Sequence, residues 1–471
     1  MKRQLQEIAW VVGGQAITAL GTVVGVRVLT QALAPSAYGT VSLALGLSTL
    51  AISVVAAPPT QAAIHFYPKV VANGSVRELL LAVLRCYRVM APWVLAVALV
   101  AGVVFVASGA GTPALVVLLM LLFASDCWRS ANLSLLAAAR RQRRSALWMA
   151  GDSWSRPLAA AAAVLVFGQS PVAVMAAYVL VSACLVTVFS YRLWPQGTES
   201  VAGDSEVRSR RWDSSLWQYA LPLIPLGIVN WASTLGDRYI IGGVLGVADA
   251  GVYAAVYGLS SIPFLLVNGT AEQGLRPIYQ MAVSRGDRAR AGKILTLWFA
   301  VVVAACCVGV LVFALGHELI AALVVAVPYR RASGLMPWIA TGYAIRAASY
   351  VLERVCYAYG ATRRVLIIQV LAVAATAVVT PLGIFTLGIR GAAMAVPVYF
   401  SIQLTIAAIL ARRTIREAYA AGSQAVHSTP TESAHLDSSS TAANIGSPES
   451  PSRASRISLN PAVANSRLND G

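Results

Sequence analysis

Three arginines stand where an apolar chain can least accommodate them. Arg129, Arg156 and Arg346 each lie deep inside a long apolar run, far from either of its ends. An arginine facing lipid at that depth costs at least about 2.5–3.5 kcal/mol on insertion scales. All three side chains are therefore expected to face a protein interior or a wet cavity. A guanidinium is a rigid fork of donors that grips phosphate or carboxylate oxygens in pairs. The chemistry on offer is the holding of an anion, and these three are the candidate substrate-binding residues. Asp126 stands three residues before Arg129 and Asp152 four before Arg156, so each acid shares a helix face with its arginine and can neutralise it as an inert ion pair. Arg346 has no acid within one turn, and Glu353 lies two turns on along the same face. Asp126, Asp152 and Glu353, together with Asp237 beside Arg238, are the candidate charge partners or ion-coupling groups.

The elements that must position these charges follow from composition. The chain has 471 residues, 58% of them hydrophobic and 12% charged, with a mean hydropathy of +0.70. That is more apolar surface than one water-soluble core can bury, which makes the chain an integral membrane protein. Its apolar runs exceed the roughly 20 residues that cross a bilayer as helix, and the alternation of a membrane barrel is absent. Breaks at Gly, Pro and charge clusters give about twelve spans. They run over roughly 8–33, 38–65, 79–107, 113–138, 145–168 and 171–191, then 215–245, 249–275, 293–315, 334–358, 364–387 and 391–411. The stretch from His317 to Pro328 is apolar but short, and is expected to be interfacial or re-entrant. The first apolar run is too long for a signal-peptide core and lacks a small-residue cleavage site.

Basic residues orient these spans. Lys2, Arg3, Arg140, Arg141, Arg143, Arg144, Arg208, Arg210, Arg211, Arg363 and Arg364 fall at one set of ends, against Arg330, Arg331 and Arg390 at the other. The bias places both termini in the cytoplasm. Five further arginines fall within spans: Arg27 and Arg238 near outer ends, and Arg85, Arg88 and Arg354 within reach of the inner surface. All five are expected to snorkel as anchors.

The net charge of +17 does not imply nucleic acid, because the charges sit in short loops between apolar runs. The six cysteines lie inside apolar runs without metal-ligand spacing and are expected to be small core residues. No phosphate loop, metalloprotease motif or nucleophile elbow occurs, and only four histidines are present. No catalytic, cofactor-binding or metal-binding residue is assigned, and the chain is expected not to be an enzyme.

The chain also repeats. Leu33 and Gly39 bracket a short polar break between apolar runs, and Leu245 and Gly251 bracket another at the same separation. The Arg140–Arg144 cluster and Arg363–Arg364 each close one span and open the next. Two halves with the same order of elements and an even span count are related by an axis along the membrane normal. The expected fold is an all-α polytopic membrane protein of about twelve transmembrane helices in two parallel six-helix bundles around a central cavity. The expected organisation is an N-terminal bundle 1–192, a cytoplasmic linker 193–214, a C-terminal bundle 215–415 and a disordered Ser/Thr/Pro-rich cytoplasmic tail 416–471. The fourth spans then bring Arg129 and Arg346 to facing positions across the centre.

The opening from Ile8 to Gly39, with Arg27 and Ala34-Pro35-Ser36-Ala37-Tyr38-Gly39, and the stretch from Asp237-Arg238 through Leu245 to Gly251 and Tyr253 resemble one family. It is the Wzx-type oligosaccharide flippases of the multidrug/oligosaccharidyl-lipid/polysaccharide exporter superfamily. The resemblance extends, more weakly, over about 1–415. It implies a V-shaped cavity between two bundles and transport of an undecaprenyl-diphosphate-linked oligosaccharide from the inner to the outer leaflet of a bacterial cell membrane. The implied partners are that lipid-linked substrate, membrane lipids, and a glycan polymerase or glycosyltransferases of the same pathway. A drug or ion antiporter of the superfamily and a membrane-bound glycan ligase or polymerase are the alternatives. The arginine-rich interior suits a diphosphate better than a cationic drug.

Overall fold

Inside a bilayer the backbone must satisfy its own N–H and C=O groups, and unbroken Ala/Val/Leu runs do so by coiling. The computed structural model describes residues 2–72, 76–107, 112–139, 141–190 and 214–427, in which helices are present and strands are not. In chain order the helices are α1 (Lys2–Ala32), α2 (Pro35–Val55), α3 (Ala57–Ala72), α4 (Val76–Ala107), α5 (Pro113–Ala138), α6 (Gln142–Phe167) and α7 (Pro171–Ser190). A short helical stretch, 214–220, leads into α8 (Leu223–Val244), α9 (Val247–Ser284) and α10 (Arg288–Val324). A 3-10 segment (Val327–Leu335), α11 (Met336–Ala358) and α12 (Thr362–His427) complete the order. The second expected span is α2 and α3 joined at Ala56, where Pro58 and Pro59 remove two backbone donors. α12 is two helices broken at Gly388, whose φ of 59° is left-handed.

Seven helical segments among the described residues are long and apolar enough to cross a membrane. The protein is a multi-pass membrane protein. α6, α8 and α11 fall outside that set, and they carry Asp152, Arg156, Asp237, Arg238, Arg346 and Glu353.

Two expectations are corrected. The stretch from His317 is no element of its own, because residues up to Val324 finish the 37-residue α10. At ~1.5 Å per residue that helix is ~55 Å long, well beyond the ~30 Å hydrocarbon core. The polar tail, in turn, does not begin at 416, since α12 continues to His427. Good helix formers from Ile415 to Ala421 sustain it, while Arg364 pairs with Glu417 and Arg288 lies 4.6 Å over the Tyr419 ring. Residues 428–471, and 193–213 of the expected linker, lie outside the described residues.

The first bundle, α1–α7, packs α1 along α6 and α5 against α7, around Leu29, Leu33, Leu119, Leu122, Met175 and Tyr178. The second bundle, α8–α12, is richer in buried aromatics, among them Tyr253, Tyr257, Tyr343, Tyr399 and Phe400. Both bundles lie within one contact unit, Met1–Ala420, and α2 joins them by packing on α8 and α9.

The two glycines of the repeat meet at that join. A Cβ on Gly39 would lie 2.0 Å from the Val247 carbonyl oxygen, and one on Gly251 would lie 2.2 Å from the Pro35 carbonyl oxygen. The first turns of α2 and α9 thus touch backbone to backbone, the packing that small residues permit in membranes. Gly39→Val and Gly251→Val should each lower the midpoint of thermal unfolding in detergent, by a loss of roughly 1–3 kcal/mol or more as expected for overpacking. Gly274→Ala, with open space around it inside α9, should leave the midpoint unchanged or raise it.

Candidate functional site

Asp126 and Arg129 lie on α5, Asp152 and Arg156 on α6, one turn apart within each helix. The structure forms both local pairs and then links the helices. Arg129 Nε lies 3.2 Å from Asp126 Oδ1, and Arg129 Nη1 donates to Asp152 Oδ2 at 3.0 Å. Arg156 Nε lies 2.8 Å from Asp152 Oδ1, while its Nη2 pairs with Asp126 Oδ1 and with the Ser182 hydroxyl of α7. The Tyr178 ring, 5.9 Å from the guanidinium, covers Arg156. Two arginines balance two aspartates in this square, so it carries no net charge.

Arg129, Arg156 and Asp152 nonetheless line a cavity of about 470 Å³ between the bundles, a size in the range of ligand sites. Thr18 and Thr22 of α1, Tyr38 of α2, and Ala254 and Gly258 of α9 complete much of its wall. The α1–α2 end of this cavity is sealed. Tyr329 donates its hydroxyl to Leu33 O at 3.0 Å and stands edge-on to Tyr38, and Arg27 Nη1 donates to Val325 O at 3.1 Å.

Arg238 also lines this cavity. It does not snorkel: its guanidinium lies 5.3 Å over the Tyr257 ring, its buried Nε has no acceptor, and it makes no ion pair among the described residues. The neighbouring Asp237 is turned away and buried, accepting from the Tyr253 hydroxyl at 2.7 Å and from the Arg238 backbone N–H at 2.8 Å. Since the square is neutral, Arg238 supplies the cavity's surplus positive charge. Sequence reasoning missed it because depth was judged by distance from the end of the span. The signal was its spacing from Leu235, which puts both on the cavity face of α8.

Arg346 does not face Arg129, and lines a separate cavity of about 200 Å³ with Asn268, Glu272 and Tyr350. It sits between Phe400 at 5.1 Å and Tyr343 at 5.8 Å, with a buried Nη1 that has no acceptor. Glu353, a candidate charge partner two turns on, makes no ion pair with Arg346 among the described residues. Glu353 accepts instead from the amides of Gln369 and Gln403, each at 2.9 Å, and from Ser349. Arg354 is no anchor either: it turns inward, pairs with Glu272 at 3.0 Å and stacks on Tyr350 at 4.4 Å. No group of three or more metal-ligating side chains occurs among the described residues.

The fold is like that of solved transporters of the multidrug/oligosaccharidyl-lipid/polysaccharide (MOP) superfamily. The chain is similar to the lipid II flippase MurJ in an inward closed conformation, with a TM-score of 0.62 at 11% identity over 85% of this chain and 87% of that one. It is similar to a multidrug resistance MATE family transporter of the MOP superfamily in an inward-facing conformation, with a TM-score of 0.57 at 14% identity over 88% and 94%. A MOP superfamily transporter from Pyrococcus furiosus, described as having a binding pocket of reverse polarity, gives 0.54 at 13% identity over 87% and 95%. No protein-family model and no curated protein matches the sequence.

The square and Arg238 should respond differently to substitution. Asp126→Ala strands buried guanidinium charge and should destabilise the protein by roughly 3 kcal/mol, as broken buried pairs do. Arg238→Gln removes an unpaired charge and should leave thermal unfolding in detergent at or above the parental midpoint.

Proposed function

We propose that the chain is an alternating-access transporter that flips an undecaprenyl-diphosphate-linked oligosaccharide, or a similar lipid-linked glycan precursor, from the inner to the outer leaflet of a bacterial cell membrane. Arg238 carries this reading, as a cation held in the central cavity over an aromatic ring without an ion pair among the described residues. Arg129 reaches the same cavity and can share an anion with it, while Arg156 holds Arg129's aspartates in place. Arg346 offers a second unsatisfied guanidinium edge in the other bundle. A diphosphate presents the oxygens that such forks bind. Glycosyltransferases would supply the substrate, and a glycan polymerase would take the product. A drug or ion antiporter is the second reading, favoured by Asp237 and Glu353, buried carboxylates held by neutral donors.

Both termini are cytoplasmic on this reading, and the sealed Leu33–Tyr329 end faces outward. A single cysteine inserted after Arg141 or Arg363 should react with an impermeant maleimide only in inside-out vesicles. One inserted after Ala248 should react only from outside, and the reverse pattern would overturn the orientation.

Deleting the gene should cause a diphosphate-linked glycan to accumulate on the cytoplasmic leaflet, measured by lipid extraction and mass spectrometry. Arg238→Gln and Arg346→Gln, expressed at parental levels, should reproduce that accumulation. Arg238→Lys should relieve it only in part, because a point charge lacks the forked grip. Unchanged glycans with raised drug sensitivity would favour the antiporter.

A further inference from the structure

A second cavity, of about 360 Å³, lies between the bundles on the side of the cationic one away from the seal. The order along the helices fixes that placement. On α2, Gly39 is at the seal and Val41–Thr49 face the first cavity, while Ser53 and then Gln61 of α3 face the second. On α8, which runs the other way, Asn230 faces the second cavity and Leu235 and Arg238 the first. From Thr49 to Ser53 is one helical turn, ~6 Å.

The chemistry of the two cavities differs. Charges at the second are already matched: Glu353 is capped by Gln369 and Gln403, and Arg354 is paired with Glu272. What remains free is neutral. The Gln61 and Asn230 amides and the Tyr350 and Tyr357 hydroxyls make no hydrogen bond among the described residues. Tyr350, Arg354 and Tyr357 recur at helical spacing on α11, and Arg354 lies 4.4 Å and 5.1 Å from the two rings, which fixes their planes. Amides that donate and accept, beside fixed aromatic faces and without net charge, match a polyol whose hydroxyls need both kinds of partner and whose C–H faces pack on rings.

We infer that this second cavity is a glycan subsite, which takes the first neutral sugars of a substrate whose anionic linkage sits one turn away against Arg238. The inference rests on the transport reading above. Gln61 on one bundle and Asn230, Tyr350 and Tyr357 on the other would hold the sugar from both sides, so a bound glycan bridges the two bodies.

The test uses the full-length protein in lipid nanodiscs and two probes. One is bare undecaprenyl diphosphate, and the other is the glycosylated lipid extracted from cells lacking the gene. The parent should bind the glycosylated lipid at least about tenfold more tightly than the bare one, the gain expected from a few net hydrogen bonds. A Gln61→Ala/Asn230→Ala/Tyr350→Phe variant should lose that difference and keep the affinity for bare undecaprenyl diphosphate. Arg238→Gln should weaken both lipids while keeping their ratio. Equal parental affinities for the two lipids, or a triple variant that keeps the preference, would overturn the subsite. A parent that fails to bind bare undecaprenyl diphosphate would instead overturn the transport reading. A triple variant that also loses the bare lipid would show these residues to be part of the anion site or of the fold, and would overturn the subsite as well.

Discussion

The backbone contact between Gly39 and Gly251 fixes how the two bundles can sit. Lipid tails are as apolar as the helix surfaces, so no hydrophobic force draws helices together within the bilayer. Close packing and hydrogen bonds must do it. With no Cβ on either side, the first turn of α2 settles into that of α9, and α2 is thereby aimed along α8. The aromatic residues of α8 then reach carbonyls on α2: Tyr239 donates to Leu43 O at 2.7 Å and Trp231 to Gly46 O at 2.8 Å. α1 packs on α6 instead, and the gap between those two arrangements is the cationic cavity. A larger side chain at either glycine would move a wall of that cavity as well as the seal.

Charges within the bundles are handled in two ways. The square of Asp126, Arg129, Asp152 and Arg156 buries four charges, each of which would be costly unpaired, and repays the cost by pairing every acid with both arginines. Such a device suits a rigid body, because moving α5 against α6 or α7 would expose charge that has no other partner. Arg238 and Arg346 are treated otherwise. Each rests on aromatic faces that partly replace water, and neither makes an ion pair among the described residues. The unpaired edges, more than the number of arginines, mark where an external anion can be met.

Much of this was legible in the sequence. The spans could be read from apolar length together with the breaks at Gly, Pro and charge clusters, whereas the repeated Leu-to-Gly spacing marked a tandem repeat and gave no sign that its two glycines touch. The pairs Asp126–Arg129 and Asp152–Arg156 were readable because helical spacing is a local property. Their cross-links were not, since nothing local relates α5 to α6 around the axis. Glu353 shows the same limit: it could be named as a candidate charge partner from its helix face, but Gln369 and Gln403, which hold its carboxylate, could not. Arg238 and Arg354 were misread as anchors because distance from a helix end measures depth, whereas function depends on which face the residue occupies. The helical extension through Arg416 and Glu417 was hidden by the composition of the longer tail beyond it.

The bonds described here divide into two grades, and the division follows the seam. The ion pairs lie inside the bundles, as in the square, Arg354–Glu272, Arg331–Asp249 and Arg364–Glu417. At the sealed end the contacts across the seam are a hydroxyl or a guanidinium on backbone carbonyls and a backbone N–H on a threonine: Tyr329 to Leu33, Arg27 to Val325, and Ala326 to Thr30. Net contributions of such bonds are about 1 kcal/mol each, rising to roughly 1.5–3 where one group is charged. Water can replace each of them when the surfaces part, whereas the buried square has no such substitute. Opening at the sealed end would therefore leave each bundle whole and break only the seam, and a ligand that grips both bundles from the cavity side can bias that equilibrium by no more than its difference in affinity for the two states.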